Sequence, residues 1–65
     1  MMDANRFWIV VATRTSEHDG WRRTEQVPTF VLDGWVQGIT TPEHATRVAA
    51  DIIGPGANVS VALMD

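Results

Sequence analysis

The residues best suited to chemistry fall into three small groups. His18 lies between Glu17 and Asp19, and His44 follows Glu43. A carboxylate beside an imidazole can hold a metal ion or move a proton near neutral pH. A closed metal site needs two more ligands than the histidines offer, and nothing in their spacing supplies them. Ser16 and Ser60 would need a histidine base to act as nucleophiles, and no nucleophile elbow surrounds either one. Gly34, Gly38, Gly54 and Gly56 do not form a phosphate loop and read as turn and cap residues. The sequence therefore assigns no catalytic, cofactor-binding or metal-ligating residue, and no cofactor is expected. The chain reads as a non-enzyme.

The third group is basic and aromatic. Arg14, Arg22 and Arg23 flank one predicted hairpin with Trp21 between them. Arginine can contact phosphate and an indole can stack on a base. Glu17, Asp19 and Glu25 share that hairpin, so the plainer reading is a solvated ribbon that compensates its own charge. The chain as a whole carries a net charge of −3, which argues against a protein whose main task is to neutralise phosphates.

A chain of 65 residues is a single domain, 1–65, and a marginal one. Ordering it costs roughly 100 kcal/mol, and such small domains bury only about 60% of their unfolded surface. The usual staples are disulfides, a metal or a partner subunit. Cysteine is absent, so association with another subunit is the expected staple. No run approaches the ~18 apolar residues of a spanning helix. The opening Met1–Arg6 lacks the basic-then-apolar layout of a signal peptide. The expectation is a cytoplasmic chain with no membrane partner.

The elements that must position these residues can be read from pattern. Phe7–Arg14 is an apolar, β-branched run that reads as a strand starting near residue 6. Phe7, Ile9 and Val11 point to one side, and Trp8, Val10 and Ala12 to the other. Both sides are apolar, unlike a strand with one wet face. Asp19-Gly20 is a hairpin turn signal. The second strand spans 21–32, polar on both faces in its first half, with Pro28 marking an edge or a bulge. Asp33-Gly34 signals another turn, followed by a short third strand at 35–39.

Thr41, Pro42 and Glu43 open a helix over 42–53 as cap, first-turn proline and dipole-stabilised anion. Its apolar stripe is Ala45, Val48, Ala49, Ile52 and Ile53. Gly54-Pro55-Gly56 stops it. The last strand, 58–64, alternates Val59, Val61 and Leu63 with Ser60, Ala62 and Met64. The expected fold class is α+β: a small antiparallel sheet with one helix on one face, in the order β-β-β-α-β.

The run Gly34-Trp35-Val36-Gln37-Gly38-Ile39-Thr40-Thr41-Pro42-Glu43-His44-Ala45 resembles the HicB-type antitoxin pattern, where a strand ends in glycine and threonine and a Glu-Ala helix follows. The Asp19-Gly20 hairpin and the strand after the helix fit the same layout. The segment Gln26–Asp33, with Gly38-Ile39 and His44-Ala45 beyond it, is similar to short uncharacterised proteins of actinobacterial phages. The phage resemblance implies a host protein as partner and the host cytoplasm as location. The antitoxin resemblance implies a small regulatory domain.

The functional expectation is a small interaction module that dimerises or binds a protein through an apolar sheet face. With one helix, one sheet face is left bare. Because Phe7, Ile9 and Val11 already form a full core face, the bare one is expected to carry Trp8, Val10 and Ala12. Trp21 and Trp35 are expected to join that interface, since tryptophan is enriched where proteins meet. The alternative is a nucleic-acid-binding or antitoxin-like domain using Arg14, Arg22 and Arg23.

Overall fold

The first two strands form a long hairpin because the Asp19-Gly20 pair takes the backbone such a turn demands. Asp19 and Gly20 both have positive φ, 51° and 82°, as a two-residue type I′ turn requires. The computed structural model describes residues 7–64. Strand β1 is Phe7–His18 and β2 is Trp21–Asp33. A one-turn helix α1 (Gly34–Gln37) and helix α2 (Pro42–Ile53) lead to β3 (Ala57–Met64). The sheet is antiparallel in the order β2-β1-β3. The start of the first strand expected at Arg6 lies outside the described residues.

Strand β1 is the central strand, but β3 pairs only with its first two thirds, from Phe7↔Met64 to Arg14↔Ala57. Beyond Arg14 the hairpin is a two-stranded ribbon, with no third strand beside it among the described residues. Its polar residues are mostly exposed, which suits their composition on both faces. The molecule is consequently elongated, at 52 × 16 × 15 Å. At Pro28 the register shifts: Val10 faces Phe30, while Ala12 faces Val27. The bulge absorbs the missing proline N–H on an outer strand, as proline in a sheet requires.

The expected third strand at 35–39 is absent, and the order is β-β-α-α-β. The cause is Asp33. Its carboxylate accepts hydrogen bonds from the backbone N–H groups of Trp35 (2.9 Å) and Val36 (3.2 Å). An Asp-Gly pair that reads as a hairpin turn thus acts as a helix cap. Gly38, at φ 68°, ends that turn in the left-handed conformation. Ile39 then drops into the core, fully buried. Its apolar side chain serves a coil rather than a strand.

Helix α2 has the bounds its signals predict. The Thr41 hydroxyl accepts from the His44 N–H at 3.1 Å, and such a cap contributes about 1 kcal/mol. Ala45 and Ala49 face the sheet and are fully buried, their small size letting helix and sheet approach closely. Val48 and Ile53 are half-buried. Ile52, expected in the covered stripe, is instead exposed. The helix packs mainly over β3 and also reaches β1, so the far side of its stripe, at Ile52, borders an open groove toward β2.

The faces of β1 are the reverse of the expectation. Trp8 is 5% exposed, Val10 0%, and Ala12 is also buried, all inside the core with Leu32, Ile39, Ala45 and Ala49. Phe7 and Val11 are the exposed ones. The reason is cross-strand register. Trp8 lies between Leu32 and Leu63, Val10 between Phe30 and Val61, and Ala12 between Val27 and Val59. The other face pairs Phe7 with Asp33, Val11 with Ser60 and Thr13 with Asn58 and Gln26. Ile9, between Val31 and Ala62, forms the one wholly apolar trio on that face, whereas all three trios of the Trp8 face are apolar.

Candidate functional site: the uncovered sheet face

Register assembles a surface that no single strand reveals. On the face away from α2, Phe7 sits between Asp33 and Met64, and Ile9 between Val31 and Ala62. Val11 lies next along the strand, beside Ser60. Val11 is 48% exposed, and Phe7, Val31 and Met64 are exposed too. The result is an apolar strip along three strands, bordered by Thr13, Ser60 and Asn58. Asp33 is the charged residue at its end, and that carboxylate is engaged in capping α1. The strip's own side chains, those of Phe7, Ile9, Val11, Val31, Ala62 and Met64, carry no acid–base or nucleophilic group. What it can do is lose water against another apolar surface.

The interface residues named from sequence therefore divide. Trp8, Val10 and Ala12 belong to the core and cannot meet a partner without unfolding. Trp21 and Trp35 are exposed at 75% and 69%, on the hairpin tip and on α1. Phe7, Ile9, Val11, Val31 and Met64 were missed as a set. Their signal lies in the pairing of β2 and β3 with β1, which fixes the inner face.

The residues with chemical potential are not brought together. His18 is exposed at the ribbon tip, 3.8 Å from Asp19, while His44 is in the first turn of α2. Ser16 lies on the exposed ribbon and Ser60 on the uncovered face of β3. Among the described residues no group of three or more His, Asp or Glu could hold a metal ion. On the ribbon, Arg22 pairs with Glu17 at 3.4 Å and Arg23 with Glu25 at 3.1 Å. Arg14 stands opposite Glu25. Basic and acidic side chains are thus interleaved along the ribbon rather than gathered into a basic stripe.

A second feature lies where α2 overhangs β2. A shallow groove of about 380 Å³ runs between Ile52 and Ile53 on one side and Val27, Pro28 and Phe30 on the other. It exists because one helix about 10 Å across cannot cover three strands spaced about 4.8 Å apart.

Comparison with protein-family models, curated proteins and solved structures finds no match for the chain. Among the described residues, no helix is long and apolar enough to cross a membrane. The reading of function therefore rests on the chain's own surface.

Proposed function

We propose that this chain is a non-enzymatic protein-interaction module, and that a partner protein docks on its uncovered sheet face. The observation that carries the reading is the continuous strip of Phe7, Ile9, Val11, Val31, Ala62 and Met64 across all three strands. Five residues long and three strands wide, the strip presents roughly 240 Å² in plan. A contiguous apolar patch of this kind commonly marks an interaction site. The projecting ribbon also enlarges the total surface. The 7.2 kDa chain exposes 4706 Å², where a compact monomer of that mass exposes about 4100 Å². The projecting ribbon, with Trp21 near its tip, gives a partner a second place to hold.

Photo-crosslinking in the source cells tests this. A photoreactive residue at Val11 is expected to yield a discrete heavier adduct whose protein component is identified by mass spectrometry. The same residue at Arg47, exposed on α2, is expected to yield none. No adduct from Val11, or equal adducts from both positions, contradicts the proposal.

A further inference from the structure

The two outer edges of the sheet are built differently. The outer strand β2 carries Arg22, Arg23 and Glu25, and it is broken by Pro28 and its register shift. These are the usual devices that stop a sheet edge from pairing with another chain. Strand β3 has none of them. Ala57–Met64 contains no charged residue and no proline, and its register with β1 is continuous over all eight residues. Among the described residues no strand pairs with its outer side.

The ladder shows which groups that edge presents. The Thr15 N–H donates to the Gly56 carbonyl at 2.9 Å, which puts Thr15 and Gly56 in the hydrogen-bonded phase of the ladder. Bonded pairs alternate along an antiparallel ladder. Asn58, Ser60, Ala62 and Met64 therefore spend their backbone groups on β1. Ala57, Val59, Val61 and Leu63 turn their N–H and C=O groups outward. Those four residues are spaced symmetrically about Ser60.

We propose that two copies of this chain pair through the outer edges of β3, antiparallel about a two-fold axis at Ser60. Ala57 then bonds Leu63 of the partner subunit, and Val59 bonds Val61 of the partner subunit. Every outward group of the four residues is satisfied at once. A register moved by two residues leaves either Ala57 or Leu63, according to its direction, without a partner inside the strand. Directly opposed residues share a face, so Val59 and Val61 remain on the helix side and extend one core. Helix α2 rests over the β1–β3 half of the sheet. The remaining edges of the six-stranded sheet are both β2. Their guards close the assembly at two copies instead of letting it grow. The uncovered faces of the two copies become continuous, so the assembly adds to the docking surface without occupying it.

Cysteine pairing tests the geometry, since the chain has no cysteine of its own. At the axis, Ser60 faces its mate in a non-hydrogen-bonded pair, about 4.5 Å apart at Cα and within disulfide reach. Ser60→Cys is expected to form a covalent dimer under mild oxidation. Val11→Cys, on the central strand of each copy, lies roughly 14 Å from its mate and is expected to remain monomeric on a non-reducing gel. Asn58→Cys and Ala62→Cys are expected to cross-link when mixed and not when oxidised alone. These variants all lie on the uncovered face, so they leave the core untouched. Sedimentation equilibrium of the unmodified chain is expected to give a dimer. The proposal is overturned by a monomer at all concentrations, by Ser60→Cys that does not cross-link, or by Val11→Cys that cross-links as well as Ser60→Cys. The last result would place a second copy on the sheet face instead. The photo-crosslink at Val11 reports on that face alone, so the edge and the docking reading fail separately.

Discussion

Trp8→Ala is expected to lower the stability of the fold by about 3–5 kcal/mol, the usual cost of emptying a buried aromatic site. A domain of 65 residues has a total of about 3–10 kcal/mol to lose. The variant should be largely unfolded near 37 °C, with a lost or strongly lowered thermal transition by circular dichroism. The size of the effect reflects position. Trp8 is on the central strand, between Leu32 and Leu63, and belongs to a core of only seven buried side chains among the described residues. Its indole Nε1 is buried with no acceptor among the described residues, which costs about 1–3 kcal/mol. Trp8→Phe removes that penalty while keeping most of the ring. It should retain a cooperative transition well above that of Trp8→Ala. Equal losses in the two variants would mean that ring volume is not what Trp8 contributes.

Gly56→Ala is expected to cost about 2–5 kcal/mol, for two independent reasons. Gly56 has φ 84°, in the region that disfavours any side chain. A Cβ at this position would also collide with the carbonyl of Thr15. That carbonyl belongs to the residue whose N–H bonds Gly56 itself, so relieving the clash pulls β3 away from β1. Gly20→Ala separates the two effects. Gly20 has φ 82° but open space around it, so only the backbone strain of about 1–2 kcal/mol applies. Urea unfolding of the two variants measures the difference. Equal midpoints would show that β1 and β3 do not meet as closely as the register requires.

Local signals were legible in the sequence, and the arrangement of faces was not. Thr41, Pro42 and the Gly54 stop each depend on a few neighbouring residues, and α2 begins and ends where they place it. The Asp19-Gly20 turn and the Pro28 bulge are local in the same way. The segment 34–39 failed because Asp-Gly serves two devices, a hairpin turn and a helix cap. Here the Asp33 carboxylate accepts from the Trp35 and Val36 N–H groups, which selects the cap. Burial of Ile39 fits either one.

The inversion of β1 has a different cause. Phe7, Ile9 and Val11 are as apolar as Trp8, Val10 and Ala12, so β1 alone cannot choose its inner side. The choice is made by Val59, Val61 and Leu63 on one neighbour and Val27, Phe30 and Leu32 on the other. Register is a non-local property, and a shift of one residue exchanges the faces. One helix leaves one sheet face bare in either arrangement. Only the residues that occupy the bare face change, and with them the candidate site.

Val10 and Val11 are adjacent, have identical side chains and point to opposite sides of the central strand. Thermal unfolding of Val10→Glu and Val11→Glu, monitored by circular dichroism, therefore tests the face assignment on which the functional reading depends. Val10→Glu places a carboxylate in a fully buried site among apolar neighbours, and the folded state should be lost. Val11→Glu places it on the open face and should change stability by about 1 kcal/mol or less. A folded Val10→Glu beside an unfolded Val11→Glu would contradict the account and return the Trp8 face to the surface.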